Sequence, residues 1–391
     1  MTRKDVIIIG AGASGLMCAI ESGKRGRSVL ILDHADKTGK KIRISGGGSC
    51  NFTNMNMSHR NFISSNPHFC KSALSRFTPR DIIALLEKHG VDYEEREQGQ
   101  LFCTKGAQDL TRMLESECND AGVNIILNCR ILDIKKSDLF IVSTDRGIFE
   151  SESLVIASGG LSYPGSGASG IGHRIANQFG LKLTDIQPAL VPFIFHPEDR
   201  KILSELSGIS IEAAVKCNNM GFRGSILFTH RGLSGPAILQ ISSYWKRGDA
   251  IVIDLLPGTD IYSVFIERQL GKSKIGIHNV LSGFLPLRLA RVWCGLEIQS
   301  KPVNQYNEKE LREIAQKVHN WNIMPESTEG FKTAEVTLGG VDAGELSSKT
   351  MESRRVKGLY FTGEVIDVTG QLGGYNLHWA WASGFVAGQY V

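Results

Sequence analysis

A glycine-rich turn near the beginning of the sequence restricts the fold more than any other feature. Residues Gly10 to Gly15 read G-A-G-A-S-G and fit the pattern G-x-G-x-x-G. Residues 5–9 before the turn predict a buried strand, residues 14–24 predict a helix, and residues 28–32 predict a second buried strand. A glycine pattern placed between the strand and the helix of a βαβ unit predicts a Rossmann-like dinucleotide-binding domain.

Dinucleotide binding gives the residues of this turn expected roles. Gly10 allows the tight turn, Gly12 lets the backbone approach a pyrophosphate, and Gly15 lets the helix pack on the strand. Asp33, which ends the second strand, is expected to accept hydrogen bonds from the adenosine ribose hydroxyls. The alternative is a glycine-rich turn that binds no ligand. The cofactor contacts predicted in this unit are Gly10, Gly12, Ala13, Ser14, Gly15 and Asp33.

A second match to the glycine pattern, at residues 165–170, is interpreted as a chance match. It lies well beyond the strand predicted at 154–157, and Pro164 stands between them. No acidic residue closes a following strand at the required distance. The sequence therefore predicts one dinucleotide-binding unit.

The C-terminal segment favours FAD over NAD as the dinucleotide. Residues 358–361 predict a buried strand, Gly363 and Glu364 follow it, and a final helix is predicted from about Gly374. A flavin dinucleotide lies extended across the sheet, so it needs a second contact where a late strand ends. Glu364 is expected to hold the ribityl or pyrophosphate region, and the helix N-terminus is expected to face the N1–C2=O edge of the flavin. The alternative is a glycine-capped helix that packs on the sheet.

Residues 39–54 predict a long functional loop, because they lack clean periodicity and contain three consecutive glycines from Gly46. Such glycines let backbone N–H groups converge on an anion or on the flavin rim. A purely structural loop is the alternative, and the charged residues are either phosphate contacts or a solvated surface. The polar residues of interest in this loop are Lys40, Lys41, Arg43, Asn51 and Thr53.

The length of 391 residues predicts two structural units, since single cores stop growing at about 250 to 300 residues. Short alternating apolar segments begin near residue 190, a helical pattern runs from about 261 to 320, and a buried strand returns at 358–361. We therefore expect a discontinuous FAD domain, 1–189 and 326–391, interrupted by an insert at 190–325. Within the insert, residues 190–258 are expected to be β-rich and 259–325 helical.

Charge and cysteine usage exclude several classes of protein. The 44 basic and 40 acidic residues give a net charge of +4, which neither demands nor forbids an acidic partner. The eight cysteines are scattered without a C-x-x-C pair, which argues against zinc ribbons and disulfide scaffolds and leaves no metal expected. The first apolar run is too short for a signal peptide, and the long uncharged stretches are too polar to span a membrane. We expect a cytoplasmic protein.

Four segments carry a family resemblance. They are K-K-I-R-I-S-G-G-G-S-C-N-F-T-N at 40–54, S-G-G-L-S-Y-P at 158–164, T-L-G-G-V at 337–341, and G-E-V-I-D-V at 363–368 together with G-G-Y-N at 373–376. These motifs resemble those of the HI0933-like flavoproteins, and they are spread over nearly the whole chain. One departure is Ser49, which stands where the family usually has arginine.

The resemblance implies a Rossmann-like, glutathione-reductase-like FAD domain with an insert that has a β-barrel-like part and a helical part. The family includes aminoacetone oxidases and bile-acid enone reductases. Residues 227–236 and 333–342 look most similar to the proteobacterial branch proposed to make dihydrouridine in ribosomal RNA. The further FAD contacts expected are Lys41, Ser45, Gly46, Gly47, Asn51, Ile131, Gly159, Gly160, Gly340, Gly363, Glu364, Gly373, Gly374, Tyr375 and Asn376.

The residues responsible for proton transfer are the least constrained by the sequence. The candidates are Cys50, Cys103 and His230, for which the alternatives are inert buried thiols and a loop histidine. His378 is interpreted as a packing residue. Tyr163 and Tyr375 are either rings that cover the flavin or substrate, or core residues.

The sequence predicts an FAD-dependent oxidoreductase, and the nearest branch implies reduction of a uracil C5=C6 bond in 23S ribosomal RNA by hydride transfer from flavin N5. NADH or NADPH is the expected transient electron donor. The alternatives are an oxidase or enone reductase for a small molecule, and a flavin-bearing RNA- or ribosome-binding module without turnover. If RNA is the substrate, the expected basic contacts in the insert are Arg223, His230, Arg231, Lys246 and Arg247. The alternative is a solvated charged surface.

Overall fold

The computed structural model describes residues 2–391, and the chain divides into two compact units. The first contains the chain up to Pro188 together with Glu335–Val391, and the second is Ala189–Ala334.

The strands, in chain order, are β1 (Thr2–Ile9), β2 (Val29–Leu32), β3 (Asn51–Asn54), β4 (Phe62–Ile63), β5 (Tyr93–Glu95), β6 (Gln100–Cys103), β7 (Asn124–Ile126), β8 (Ile131–Lys136), β9 (Phe140–Thr144), β10 (Gly147–Ile156), β11 (Gln187–Ala189), β12 (Phe193–Phe195), β13 (Ser210–Cys217), β14 (Met220–Phe228), β15 (Gly232–Ser234), β16 (Ile251–Asp254), β17 (Trp321–Ile323), β18 (Pro325–Thr328), β19 (Val336–Leu338), β20 (Leu359–Phe361) and β21 (Thr369–Gly370). The α-helices are α1 (Ala13–Lys24), α2 (Lys40–Ile44), α3 (Lys71–Arg76), α4 (Pro79–Lys88), α5 (Ala107–Asp120), α6 (Ile171–Gln178), α7 (Pro197–Leu203), α8 (Pro236–Ser242), α9 (Ile261–Leu270), α10 (Ile277–Leu281), α11 (Leu287–Glu297), α12 (Glu308–His319) and α13 (Tyr375–Gly388).

The main sheet of the first unit has parallel strands in the order β7-β2-β1-β10-β20, and β9 and β8 extend it in antiparallel fashion from β10. All four residues of β2 are buried, which matches its uninterrupted apolar sequence. In the register, Ile9 pairs with Leu32 on β2 and with Ile156 on β10, and Ile156 pairs with Phe361 on β20. The carboxyl ends of these four strands therefore lie along one edge of the sheet, where ligands bind in open α/β folds.

Helices α1 and α13 pack against each other closely because glycines remove the side chain at the contact. A Cβ on Gly384 would lie 2.3 Å from the main-chain oxygen of Ser14, and one on Gly388 would lie 2.8 Å from that of Cys18. Arg25, which follows α1, donates to the main-chain oxygen of Gly388 at 2.8 Å. The two chain segments of the first unit are joined through this helix pair as well as through the β10–β20 pairing.

The segment predicted as one long loop, 39–54, contains a short helix and a strand. Its apolar residues Ile42 and Phe52 are buried, so α2 and β3 form part of the core despite the glycines between them. β3 pairs with β6, which pairs with β5, in a three-stranded antiparallel sheet. The glycine stretch is therefore a tight connection between two packed elements.

The second unit contains a seven-stranded antiparallel sheet in the order β17-β16-β13-β14-β15-β12-β18 and has its own apolar core. Phe193 of β12 pairs with Thr328 of β18, and the N–H of Glu329 donates to the Pro192 carbonyl at 2.9 Å. The two ends of the unit thus leave the sheet side by side. Because β18 belongs to this sheet, the unit extends to Ala334, beyond the predicted boundary at 325.

The helical stretch predicted from 261 to 320 is divided into the four helices α9 to α12. Gly271 ends α9, Gly276 precedes α10, and Pro286 precedes α11. Apolar residues recur at helical spacing across these breaks, so a prediction from periodicity alone does not separate the four helices.

All eight cysteines are buried and unpaired. Within residues 2–391 there is no group of three His, Cys, Asp or Glu side chains that could hold a metal ion. Among the described helices, none combines the length and apolar character that a membrane crossing requires.

Candidate flavin site

The glycines of the first turn differ in the space around them. Gly10 has a φ of +115°, and a Cβ there would lie 2.4 Å from the main-chain oxygen of Ala157. A Cβ on Gly15 would lie 2.0 Å from the Gly10 oxygen. Gly12 is different, because no atom of the described chain lies within 4 Å of the Cβ position. Gly10 and Gly15 therefore permit packing, whereas Gly12 faces open space at the N-terminus of α1.

Asp33 stabilises this turn from the end of β2. Its Oδ2 accepts the N–H of Ala11 at 2.6 Å, and its Oδ1 accepts the N–H of Ala35 at 2.8 Å. The N–H of Cys129 donates to the Asp33 carbonyl at 2.9 Å, which brings the chain leading to Ile131 and β8 beside Asp33. A carboxylate can accept further hydrogen bonds beyond these two, so a ribose contact at Asp33 stays a prediction.

The three consecutive glycines all adopt the left-handed conformation, with φ of 56°, 65° and 93° for Gly46, Gly47 and Gly48. The Cβ positions of Gly47 and Gly48 face open space, with no described atom within 4 Å. Ser45 does not extend into this space, since its Oγ donates to the Ile42 carbonyl at 2.7 Å. The amide of Asn51 lies 3.0 Å from that of Gln100. The loop therefore offers exposed backbone rather than side chains.

A partly buried ion pair connects four segments of the site. Lys41 donates to Oε2 of Glu364 at 2.6 Å and to Oγ of Ser162 at 2.5 Å. Oε1 of Glu364 accepts from Ser162 Oγ at 3.0 Å and from the N–H of Thr337 at 2.8 Å. Burial favours a higher pKa for Glu364, but the charge and hydrogen bonds of Lys41, with those of Thr337 and Ser162, hold that pKa below its ordinary value.

This ion pair changes the interpretation of Glu364. The sequence predicts Glu364 as a direct contact to the cofactor, whereas the structure places both of its carboxylate oxygens on protein donors. Lys41 is therefore more accessible to a cofactor than Glu364 is, since 37% of the Lys41 side chain is exposed against 17% for Glu364. Its ammonium can donate a further hydrogen bond.

Three further glycines allow the segments around this pair to approach one another. A Cβ on Gly160 would lie 2.3 Å from Thr337 Oγ1, and one on Gly340 would lie 2.4 Å from the Val365 carbonyl. A Cβ on Gly363 would lie 2.6 Å from Ser14 Oγ. Gly159, with φ of 70°, has open space at its Cβ position as far as residues 2–391 show. Gly160, Gly340 and Gly363, which the sequence predicts as cofactor contacts, are therefore required for close packing of the protein itself, whereas Gly159 is not.

The N-terminus of α13 is built in a similar way. Gly373 and Gly374 have φ of 115° and 92°, and a Cβ on Gly374 would lie 2.4 Å from the Thr53 carbonyl. Tyr375 is buried edge-on against Phe62, so it is a core residue in the first unit. The side chain of Asn376 accepts the N–H of Gly370 at 2.7 Å and donates to its carbonyl at 2.8 Å. These side chains stabilise the turn before the helix.

Polar atoms without partners are found at the same edge of the sheet. Ser158 Oγ follows β10 and Thr362 Oγ1 follows β20, and both are buried without a hydrogen-bond partner in the described chain. No side chain of the described residues caps α1 or α13. A polar, anionic dinucleotide that lies across the strand ends would fit these features. They are the open backbone at Gly12, the two uncapped helix N-termini and the unsatisfied hydroxyls. These residues fit FAD.

Two of the three proposed catalytic residues are deeply buried. Cys50 and Cys103 are 0% and 1% exposed; Cys50 directly precedes β3, and its carbonyl accepts the N–H of Cys103 at the end of β6 at 3.3 Å. The hydrogen bond with Cys50, together with burial, raises the pKa of the Cys103 thiol. His230 belongs to the second unit and is exposed. The structure therefore brings the two cysteines together and buries both away from solvent.

His378 and His173 are also buried, and their environments differ. His378 has Nδ1 2.8 Å from Thr53 Oγ1 and Nε2 3.0 Å from the Phe77 carbonyl, and burial lowers its pKa to about 4. It is a neutral packing residue, as interpreted from the sequence. His173 has no partner for Nε2 within residues 2–391, and burial lowers its pKa despite the nearby charge of Glu364. His173 is a buried polar residue near Glu364 that sequence reasoning did not single out.

Glu335 is a second residue that sequence reasoning missed. Its main-chain oxygen accepts from Ser162 Oγ at 3.2 Å, which places it beside the Lys41–Glu364 pair. Burial raises the pKa of the Glu335 carboxyl, although the charge of Lys41 acts in the opposite direction. Burial and Glu335 together raise the pKa of Tyr163, whose side chain remains 37% exposed. No residue pattern reveals this carboxyl, because its property arises from burial in the folded chain.

The second glycine match does not form a dinucleotide unit. Residues 165–170 follow β10 after an interval of irregular structure, and α6 begins only at Ile171. No strand of the described chain leads directly into this turn, in agreement with the sequence interpretation.

Comparison with known proteins assigns the family. The sequence profile of the HI0933-like protein Rossmann domain matches residues 4–390. The chain belongs to this family. Its membership confirms the sequence-based prediction of a Rossmann-like FAD-dependent oxidoreductase.

Individual relatives cover the same length. The chain is 46% identical over 392 residues to the ribosomal RNA dihydrouridine synthase of Escherichia coli K12, covering 100% of this chain and 98% of that protein. It is 29% identical to the 3-dehydro-bile acid delta(4,6)-reductase of Clostridium scindens, covering 98% and 97%. Among solved structures, 3-ketosteroid-delta4-(5alpha)-dehydrogenase from Rhodococcus jostii RHA1 is similar with a TM-score of 0.51 at 13% identity, covering 99% of this chain and 97% of that one, which shows the shared fold.

Proposed function

We propose that this HI0933-like protein is a cytoplasmic enzyme that reduces a uridine of 23S ribosomal RNA to dihydrouridine. The observation that carries this proposal is the 46% identity, over its full length, to a protein named ribosomal RNA dihydrouridine synthase. The open strand edge of the first unit supports it, because reduction of a C5=C6 bond needs a hydride donor and a polar site to hold that donor.

Residues of the first unit would hold FAD. The N-terminus of α1 at Gly12 would take the pyrophosphate, and Asp33 would take the adenosine ribose. The backbone at Gly46 and Gly47 and the ammonium of Lys41 would contact the flavin or its phosphates. When bound, FAD supplies the hydride that adds to one carbon of the double bond. NADH or NADPH would supply the electrons.

Reduction also needs a proton for the second carbon. Glu335 is the residue that we assign to this step, because it lies beside the Lys41–Glu364 pair and its carboxyl, whose pKa is raised by burial, keeps its proton to higher pH than an ordinary glutamate. Its neighbour Tyr163, also of raised pKa, remains protonated as well. Of the groups considered from sequence, Cys50 and Cys103 are buried within the fold and are not given this role.

The decisive experiment is mass spectrometry of 23S ribosomal RNA from cells with the gene, without it, and without it but carrying it on a plasmid. We expect one dihydrouridine to be lost and then restored. Purified protein should be yellow, and heat should release intact FAD. Unchanged RNA in the deletion strain would contradict the substrate, whereas protein that cannot be reconstituted with FAD would contradict the enzyme class.

A second candidate function is supported by the relative from Clostridium scindens, a 3-dehydro-bile acid delta(4,6)-reductase. Reduction of a conjugated enone uses the same pair of steps, hydride addition and protonation. An anaerobic experiment distinguishes the two functions: the reduced enzyme is mixed with ribosomal RNA or with a steroid-like enone. The substrate is the one that reoxidises the enzyme. Rapid reoxidation by air with release of peroxide would indicate an oxidase, and retained FAD without turnover would indicate a binding module.

A further inference from the structure

Of the five basic residues that the sequence singled out for RNA contact, the three arginines are paired with carboxylates. Arg231 lies 3.6 Å from Glu329, and Arg247 lies 3.0 Å from Glu326. Arg223 lies 3.7 Å from Glu212. These exposed pairs leave little net positive charge on that part of the second unit. A polyanion would have to compete with the carboxylates for each arginine.

Another part of the same unit carries unpaired positive charge. Residues 268–296 contain five lysines and arginines and no aspartate or glutamate. This segment has a charge of +5, so the rest of the chain, with 39 basic and 40 acidic residues, has a charge of −1. The net positive charge of the protein is thus concentrated in 29 residues. The five basic residues are Arg268, Lys272, Lys274, Arg288 and Arg291.

We call these five residues the basic segment. All five are exposed, and none of them forms an ion pair with any carboxylate of residues 2–391. Arg288 donates to the main-chain oxygen of Ser207 at 2.9 Å, which orients its guanidinium without neutralising it. Unpaired, exposed cations can neutralise the phosphates of a nucleic acid, and the counterions that the nucleic acid then releases favour binding.

Large apolar side chains are exposed among these cations. Leu270 is 77% exposed, Ile275 41%, Phe284 45% and Leu287 42%. Leu287 and Arg291 are four residues apart on α11 and share one face of that helix, and Phe284 lies in the turn just before it. An exposed ring next to cations is the arrangement on which an unpaired base stacks while its phosphates are bound.

The segment is compact along the chain. Lys272 and Lys274 lie between α9 and α10, and Phe284 lies between α10 and α11. Helix α10 has five residues and is therefore only about 7 Å long. Only 13 residues of the chain separate Lys274 from Arg288, and within them α10 packs against α11.

We propose that the basic segment, with Phe284 and Leu287, is the surface through which the protein binds ribosomal RNA, an inference that rests on the proposed function and names where its substrate docks. The charge favours RNA over a protein partner, because five cations without a carboxylate match a polyanion, whereas the core of a protein interface is depleted of charged residues. The exposed ring favours an RNA loop or single strand over an uninterrupted duplex.

The test compares two double variants of the FAD-loaded protein. Arg288→Ala with Arg291→Ala removes two cations of the basic segment, and Arg223→Ala with Arg247→Ala removes two paired arginines of the same unit as a control. Binding to protein-free 23S ribosomal RNA is measured by fluorescence anisotropy across a salt series. FAD absorbance and far-ultraviolet circular dichroism check that both variants are folded.

We expect the first variant to bind RNA about tenfold or more weakly, and its log–log salt slope to fall by about 1.4, at ~0.7 for each lost phosphate contact. The control should retain the affinity and slope of the unmodified protein. Phe284→Ala should weaken binding with little change in slope, because stacking releases no counterions.

Equal affinity of the two double variants would overturn the proposal, and so would binding of anionic phosphatidylserine vesicles in place of RNA. Dihydrouridine content separates this inference from the proposed function. Suppose that both genes are expressed at a low level in the deletion strain, so that activity limits the yield. If the gene for the Arg288/Arg291 variant then restores as much dihydrouridine as the unmodified gene, the proposed docking surface is wrong and the proposed function stands. If the unmodified gene restores none, the proposed function itself fails.

Discussion

At the scale of single residues, two glycines of one turn have opposite structural requirements. Gly15 has no room for a Cβ, whereas Gly12 has an extended φ of −87° and open space in front of it. A side chain at Gly12 would therefore fit the protein and occupy only the volume that the ligand needs.

We predict that Gly12→Val leaves the unfolding free energy of the apoprotein within about 0.5 kcal/mol of the original, as for an unobstructed surface substitution, and abolishes FAD retention. Gly15→Ala should instead destabilise the apoprotein by about 1–3 kcal/mol through overpacking. Urea unfolding and the flavin absorbance of purified protein measure the two effects. If the purified Gly12→Val protein is yellow, it retains FAD, and the pyrophosphate must bind elsewhere than at Gly12.

Glu335 provides a second prediction at this scale. Glu335→Gln should lower the rate of RNA reduction about 10²- to 10⁴-fold while FAD content and the rate of flavin reduction by the nicotinamide donor stay unchanged. The rate of the original enzyme should fall as pH rises through the raised pKa of Glu335, and the variant should lose this dependence. Single-turnover kinetics across pH measures both, with the exposed Glu95→Gln as control. An unchanged pH profile in the variant would exclude Glu335 as the acid.

At the scale of elements, a buried carboxylate joins three helices of the first unit. Glu117 on α5 is 1% exposed and interacts with Lys24 at the end of α1 at 3.1 Å, with His89 after α4 at 2.7 Å, and with Lys88. Burial favours a higher pKa, but the hydrogen bonds from His89, Lys88 and Lys24 lower the pKa of Glu117 to about 2.

A group with a depressed pKa stabilises the fold above its unfolded pKa and loses that contribution as pH falls to the folded value. Glu117→Gln should therefore reduce the unfolding free energy by about 2–3 kcal/mol at pH 7. The difference should shrink as pH falls from about 4.5 to about 2. Urea unfolding at several pH values measures this, with the exposed Glu313→Gln as control. A constant difference across that range would show that the ion pairs do not contribute.

The contact between α1 and α13 gives another prediction. Gly384→Ala places a methyl group 2.3 Å from the Ser14 oxygen and should destabilise the protein by about 1–3 kcal/mol. Gly295 on α11 is a matched control, because no described atom lies within 4 Å of its Cβ position. Gly295→Ala should stabilise by up to about 1 kcal/mol through helix propensity. Equal effects of the two changes on urea unfolding would contradict the close helix packing.

Elements with clear periodicity could be predicted from the sequence, and the site could be predicted only in part. Strand β2 lies within the predicted residues 28–32, and α1 and α13 begin within one residue of the predicted positions. The turn at Gly12 could be found because its spacing is tied to local backbone chemistry. Glu335 and His173 could not, because the partial burial of Glu335 and the full burial of His173 depend on segments that are distant in the sequence.

At the scale of the whole molecule, the second unit is inserted between segments that share one core. The apolar core of the first unit draws residues from both of its segments, whereas the second core uses only residues of the insert. We predict that residues 189–334 expressed alone give a folded, colourless protein with a cooperative urea transition. Residues 1–188 alone should not fold, since they lack β20 and α13. Failure of the isolated insert to fold would contradict its independence.

The burial of all eight thiols has a practical consequence for spectroscopy. Maleimide dyes react with accessible thiolates, so the folded protein should remain unlabelled until a cysteine is introduced at a chosen exposed position, such as Glu313→Cys on the second unit or Glu95→Cys on the first. Two such positions would carry a donor and an acceptor dye, and energy transfer would then report on the separation of the two units in solution during turnover.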